Sequence, residues 1–248
     1  MGALGAADWA LAVCIMLAAT LYSSVGHAGA SAYIALMALF GVPAAVMRPT
    51  ALALNVLVGS LASWRYVMAR QFRWRVLWPF LLGAAPMAFI GGGISLPGEY
   101  YRPLMGIVLW IAAARLLWPA PLRTETEARD PPIWAGILAG AGIGLLSGLT
   151  GTGGGIFLSP LLLFMAWSPV RQSSGVAAVF VLANSLAGLS GNLASLGALP
   201  PQLPLYAGAA LIGAVIGTGL GVRLQSPWLT RALGLVLVIA GAKLIGVY

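Results

Sequence analysis

The chain has 248 residues, of which 60% are hydrophobic and only 7% are charged, and its formal net charge is +8. This composition excludes an ordinary soluble domain, because soluble domains carry far more charge and lack repeated apolar runs of about 20 residues. The apolar runs are continuous and do not alternate, which also excludes a transmembrane β-barrel. We therefore predict an all-α polytopic membrane protein.

Ten apolar segments follow one another along the chain, and each is predicted to be helical. They span residues 9–26, 30–42, 49–69, 75–94, 102–118, 133–150, 155–167, 172–197, 203–222 and 228–246. Tryptophan at a segment end is typical of an anchor at the membrane interface. The tryptophans in such positions are Trp9, Trp74, Trp118, Trp134, Trp167 and Trp228.

The first segment is predicted to be a membrane helix and not a cleaved signal, because no basic stretch precedes it and Asp8 stands at its start. It contains Cys14, the single cysteine of the chain, which we expect to be a small buried apolar residue. A lone cysteine provides neither an intrachain disulfide nor a metal cluster, so we expect no metal and no other cofactor.

The second and seventh segments are too short to cross a membrane, and a glycine-rich stretch precedes each. Residues 156–167 reach about 18 Å as a helix, against a hydrocarbon core of about 30 Å. The preceding stretches, "GHAGAS" and "GTGGG", are therefore predicted to lie within the bilayer thickness, one entering from each side. Irregular backbone at that depth must be buried in protein or line a watery cavity.

These two stretches are predicted to form a binding site for an anion. A helix N-terminus carries unpaired N–H groups and about half a positive charge, and glycine lets a ligand touch the backbone. Two such ends that meet near the membrane midplane would bind an anion without a permanent cation. The alternative explanation of the glycines is close packing of helices through small residues.

The predicted substrate-binding residues are the two stretches and nearby polar side chains: His27, Ala28, Gly29, Ala30, Ser31, Thr50, Asn55, Gly151, Thr152, Gly153, Gly154, Gly155, Ser174 and Asn184. Ser24 and Thr150 are further hydroxyl donors. For the asparagines, the alternative is a hydrogen bond that joins helices. Arg48 and Arg171 open two segments, where they either attract an anion or extend to the interface.

Acidic residues are missing from the interiors of the apolar segments. Because cation pathways and many proton relays place carboxylates in the membrane, a cation substrate is disfavoured. His27 is the single histidine of the chain. It is a donor to an anion, the carrier of a coupled proton, or a neutral side chain bonded to a carbonyl.

A polar linker, residues 119–132, divides the chain into two membrane repeats, residues 1–118 and 133–248. Residues 21–40 align with residues 145–164 at a constant offset of 124 (145 − 21), so that Gly29 matches Gly153. Each half has an odd number of segments, and the halves are therefore predicted to be inverted repeats, as in many secondary transporters.

The basic residues predict the orientation. Arg65, Arg70, Arg73 and Arg75 crowd the loop after the third segment, which is therefore predicted to be cytoplasmic. Alternation then places every basic residue except Arg48, Arg102 and Lys243 at the cytoplasmic side. It also puts the linker inside and both termini on the outer side of the inner (plasma) membrane. The positive charge needs no nucleic-acid partner.

Four stretches together resemble the sulfite exporter TauE/SafE family: "YSSVGHAGASAYIALMALFG", "MRPTALALN", "GLLSGLTGTGGGIFLSPLLL" and the two halves around a short linker. The resemblance covers essentially the whole chain. It implies a transporter of anionic sulfur compounds, such as sulfite and organosulfonates, in the bacterial inner membrane. The first half departs from the second, since "GHAGASA" has fewer glycines than "GTGGGI".

We expect a secondary carrier that exports sulfite, thiosulfate or an organosulfonate, with the lipid bilayer, a coupled proton or ion and a second copy of the chain as candidate partners. An anion channel is the first alternative. The second is an intramembrane serine hydrolase, suggested by "GLSG" around Ser190 and by the single histidine. We do not expect an enzyme, because that four-residue string arises easily in a chain rich in glycine and serine.

Overall fold

The computed structural model describes residues 5–117, 129–193, 199–220 and 227–246, and these residues form helices without any strand. The helices are α1 (Ala6–Ser23), α2 (Ala30–Leu39), α3 (Ala44–Met68), α4 (Trp74–Gly93), α5 (Gly98–Leu117), α6 (Ile133–Thr150), α7 (Gly155–Phe164), α8 (Val170–Gly191), α9 (Leu203–Leu220) and α10 (Pro227–Ile245).

The predicted all-α class is confirmed. Among the described residues, six helices are long and apolar enough to cross a membrane: α1, α3, α4, α6, α8 and α9. That α5 and α10 also cross remains a prediction. Most of the predicted linker, residues 119–128, lies outside the described residues, as does Trp118.

Large apolar side chains cover much of the outer surface, as expected where a protein meets lipid instead of water. Leu17, Leu82 and Leu138 are all more than half exposed, although each lies well inside a helix. Of the predicted interface anchors, Trp9, Trp74 and Trp134 are exposed. The expectation for Trp167 was wrong: it is buried, because its ring packs against Phe80 with centroids 5.9 Å apart.

Glycines bring α4 and α6 into close contact. The glycines of α6 that face α4 recur every fourth residue and so lie on one side of the helix; they are Gly136, Gly140, Gly144 and Gly148. A Cβ on Gly144 would lie 2.2 Å from the carbonyl oxygen of Ala84. Membrane helices pack closely in this way because small residues let their backbones approach. Glycines also bring α9 close to α1, where a Cβ on Gly217 would lie 2.1 Å from the carbonyl oxygen of Thr20.

Gly144→Val is expected to lower the free energy of unfolding by about 3 kcal/mol, because the added atoms force α4 and α6 apart. The matched control is Gly142→Val, on the same helix, where an added Cβ meets nothing within 4 Å. Thermal unfolding of the two variants in detergent measures the difference. Equal melting temperatures would show that the glycines of α6 that face α4 do not set the distance between the two helices.

The two short helices both begin near the middle of the bundle. The backbone N–H of Ala30, the first residue of α2, donates to Asn55, which lies near the middle of α3. At its other end, α2 presents the Leu39 carbonyl to Lys243. Each short helix has 10 residues, or about 15 Å, which is half of a membrane core.

The helix α7 runs the opposite way. Its start lies beside Val181 and Asn184 of α8, and its end leads to Ala166, whose carbonyl accepts from the Arg129 N–H. Asp130, next along the chain, pairs with Arg73 in the loop after α3. The short helix α7 therefore ends where α3 gives way to α4 (residues 65–75), which we call the arginine end. The short helix α2 ends at the opposite end.

Candidate functional site

The two glycine-rich stretches meet in the interior of the bundle. We call His27–Ser31 the first tip and Gly151–Gly155 the second tip; apart from the half-buried His27, every residue of both is buried. Gly29, Gly153 and Gly154 have φ of 106°, 77° and 78°. Glycine adopts these left-handed values without strain, and so the chain can turn sharply into the first turn of each short helix.

Asn55 joins the two tips. Its Oδ1 accepts from the Ala30 N–H at 3.1 Å, and its Nδ2 donates to the Ser185 hydroxyl at 3.2 Å and more weakly to the Thr152 carbonyl at 3.5 Å. The amide is fully buried. Asn55 therefore caps the N-terminus of α2 while it holds the second tip and α8 in place.

His27 forms a second link between the tips. Its Nε2 lies 2.9 Å from the Gly155 carbonyl oxygen and 2.9 Å from the Ser159 hydroxyl. A carbonyl only accepts, so the Nε2 atom carries the proton in this arrangement. Of the roles considered for His27, the bond to a carbonyl is the one present here, and a role in binding or proton coupling stays a prediction.

Both hydroxyls of the tips, those of Ser31 and Thr152, bond to the protein itself. The Ser31 hydroxyl pairs with the Tyr22 hydroxyl at 2.8 Å, and the Thr152 hydroxyl pairs with that of Thr150 at 3.0 Å. The Tyr33 hydroxyl donates to the Ala28 carbonyl. These bonds fix the backbone of the tips and leave its N–H groups as the main donors.

Asn184 is a predicted site residue whose amide has no hydrogen-bond partner at either end, Oδ1 or Nδ2, within the described residues. Its side chain is fully buried. The Nδ2 atom lies 3.2 Å from the position that a Cβ would take on Gly154. An unpaired amide thus lies against the N-terminus of α7.

The first turn of α7 also offers unpaired backbone donors. In the described part of the chain, the N–H groups of Gly154, Gly155 and Ile156 find no acceptor, and Gly154 provides no side-chain cap. Because these N–H groups lie at a helix N-terminus, their environment favours negative charge.

Thr50 and Ser174 lie farther from the meeting point of the tips. Thr50 precedes Asn55 by five residues on α3, about 8 Å along the axis, and its buried hydroxyl has no partner within the described ranges. Ser174 precedes Asn184 by ten residues on α8 and therefore lies about 15 Å from it along the helix axis, towards the arginine end. There it contacts Gly26. These two predicted residues flank the tips and do not join them.

Several residues that contact the tips were not predicted from the sequence: Tyr22, Ile143, Ser159, Phe180 and Ser185. Ser159 had a usable signal, since it follows Gly155 by four residues and so lies on the same side of α7. Ser185 had none, because its partner Asn55 is 130 residues away in sequence.

Arg48 does not extend to the membrane interface, and its role as an attractor of anions stays a prediction. It is buried, and its guanidinium donates to the carbonyls of Gly91, Gly92 and Ile94 at the end of α4. A cation there satisfies carbonyls that have no partner inside the helix and complements the helix dipole. Arg171, by contrast, is exposed.

Ser190 lies far from the single histidine. A Cβ on Gly155 would touch both His27 and Val181, so His27 lies at the level of Val181 on α8. Ser190 comes nine residues later on the same helix, about 13 Å farther along its axis. The geometry therefore does not bring the two residues together as a nucleophile and its base, which need hydrogen-bond contact.

Comparison with known proteins gives two matches. The chain matches the sulfite exporter TauE/SafE family over residues 11–244. It is also 38% identical over 239 residues to the probable membrane transporter protein y4hK of Sinorhizobium fredii (strain NBRC 101917 / NGR234), an alignment that covers 95% of this chain and 97% of that relative. No solved structure matches it.

Proposed function

The chain belongs to the sulfite exporter TauE/SafE family and is a membrane transporter, and on this premise we propose that it is a secondary carrier of a small sulfur-containing oxyanion. Sulfite, thiosulfate and organosulfonates are the proposed substrates. The proposed site lies between the two tips and comprises the residues predicted from the sequence.

The observation that carries this proposal is the meeting of two helix N-termini inside the bundle, linked through Asn55. Opposed half-helices of this kind supply positive potential and N–H donors at the depth where a carrier must hold its substrate. Oxyanions match this chemistry because several acceptor oxygens surround one centre.

The packing of the halves supports inverted repeats. The pairing of α4 with α6 corresponds to the pairing of α9 with α1 when the halves are exchanged, and both pairs are in extensive contact. The short helices α2 and α7 occupy equivalent places and run to opposite ends. Rocking of one repeat against the other would expose the tips to each side in turn.

Buried hydroxyls without partners in the described residues flank the tips on both sides. Thr50 and Ser147 lie towards the opposite end, and Ser63 and Ser173 towards the arginine end. Ser173 and Asn184 are eleven residues apart on α8, which places them within about 20° of the same face. We propose that these groups line the path of the oxyanion to and from the tips, since each can donate a hydrogen bond to it.

We propose that the arginine end is cytoplasmic, that both termini lie outside, and that the carrier exports its substrate across the inner membrane. The arginines of residues 65–75 support this orientation. An inside-negative potential drives each negative charge outwards by about 2.3 kcal/mol per 100 mV, so export needs no coupled ion.

Purified protein in proteoliposomes should take up radiolabelled sulfite, thiosulfate or ethanesulfonate with saturation and counterflow, and acetate much less. Ser190→Ala should transport like the wild type, because Ser190 lies at the end of α8, away from the tips. Single-channel currents would favour the channel alternative. Uptake of acetate alone, or of no anion at all, would contradict the proposal.

A further inference from the structure

The two membrane asparagines of the site have opposite hydrogen-bond states. Asn55 uses both ends of its amide, accepting from Ala30 and donating to Ser185. Asn184, equally buried, uses neither end within the described residues. The N-terminus of α2 therefore already has an amide oxygen as its cap, whereas that of α7 has none.

A fully buried amide with no partner is unfavourable, because it has left water without replacing its hydrogen bonds. The amide of Asn184 has one donating end and one accepting end, whichever way it is turned. A ligand that satisfies it must therefore offer an acceptor and also a donor. A simple oxyanion offers acceptors only.

The amide of Asn184 lies against the second tip, at the residue that precedes α7. The side chains nearest the missing Cβ of Gly154 are Ile143 at 2.9 Å, Phe180 at 3.0 Å and Asn184 at 3.2 Å. Two of these are apolar, so Asn184 is the polar group among them. The N–H groups of Gly154, Gly155 and Ile156, which find no acceptor in the described part of the chain, belong to the same helix N-terminus and favour negative charge.

We infer that Asn184 and the first turn of α7 bind one oxyanion that also carries a hydrogen-bond donor, such as hydrogen sulfite or a hydroxysulfonate. This inference rests on the proposed function and assigns the direct hydrogen bonds with the substrate to the second tip and Asn184, beside which Asn55 holds the first tip. The backbone N–H groups of α7 and the amide Nδ2 donate to the oxyanion, and the amide Oδ1 accepts from its hydroxyl. Asn55 is a structural link between the tips.

The first test compares isethionate (hydroxyethanesulfonate) with ethanesulfonate, which have the same charge and differ by one hydroxyl. Wild-type proteoliposomes should transport isethionate with at least about tenfold higher kcat/KM, because ethanesulfonate leaves the amide oxygen unpaired. Equal values would overturn this inference while the proposed function stands. If the protein transports none of isethionate, ethanesulfonate, sulfite and thiosulfate, this inference and the proposed function are both overturned.

The second test separates a binding role of Asn184 from a structural one. Asn184→Leu keeps the volume and removes an unpaired buried amide, so its melting temperature should equal or exceed that of the wild type. Its isethionate transport should nevertheless fall at least about tenfold, and its preference for isethionate should disappear. Asn55→Leu should instead lower the melting temperature, because Ala30 and Ser185 lose their partner.

Ser190→Ala, at the end of the same helix, is the control and should leave both readouts unchanged. A melting temperature that falls as far for Asn184→Leu as for Asn55→Leu would overturn the inference, since it would show that Asn184 serves the fold. Retention of the isethionate preference in Asn184→Leu would overturn it as well.

Discussion

Gly153→Ala is expected to reduce transport at least tenfold while Gly41→Ala leaves it unchanged. The two glycines have nearly the same left-handed φ, 77° and 76°, so alanine suffers the same backbone strain of about 1–2 kcal/mol at both. They differ in their surroundings. A Cβ on Gly153 would lie 2.4 Å from the Nδ2 of Asn55, whereas one on Gly41 meets nothing within 4 Å.

The added methyl group must therefore displace Asn55 and separate the two tips. Counterflow of labelled isethionate or sulfite measures the effect on transport, and thermal unfolding in detergent confirms that both variants are folded. If Gly153→Ala transports as well as Gly41→Ala, close approach of the second tip to Asn55 is not needed for the cycle.

Arg48→Met is expected to lower the free energy of unfolding by roughly 3 kcal/mol, because three carbonyls at the end of α4, two of them buried, lose a charged donor. Methionine keeps most of the aliphatic length, so the change removes the hydrogen bonds more than the packing. The matched control is Arg102→Met, which removes the same charge from an exposed position. It should change the free energy of unfolding by less than about 0.5 kcal/mol.

Thermal unfolding of both arginine variants, together with their transport rates, distinguishes a cap from an attractor of anions. A cap predicts a loss of stability for Arg48→Met alone. If both variants keep their stability and both slow transport, Arg48 acts through its charge at the mouth of the path.

Much of the architecture follows from the sequence because it depends on short-range patterns. Long apolar runs predict the spanning helices, since a backbone in lipid must satisfy its own hydrogen bonds. The shortness of the segments that became α2 and α7 was also readable, because a helix of 10 residues cannot cross the membrane. Trp167 shows what the sequence pattern cannot predict, because a tryptophan at a segment end can either anchor at the membrane interface or pack inside the protein. Here its ring packs against Phe80, a contact that the sequence does not show.

The polar groups show most clearly what the tertiary structure adds. By sequence alone, Asn55 and Asn184 are two similar amides inside apolar helices, and Arg48 is a cation at a helix start. Their roles depend on partners such as Ser185 and Gly92, which lie far away in the chain.

The sequence by itself determined a helical membrane protein with two glycine-rich breaks, because hydrophobic length and glycine content act locally. Only the tertiary structure decided that, among the residues it describes, Asn55 has hydrogen-bond partners and Asn184 has none. A buried hydrogen bond forms or fails over a few tenths of an ångström, and that distance is set by how the helices from both halves pack.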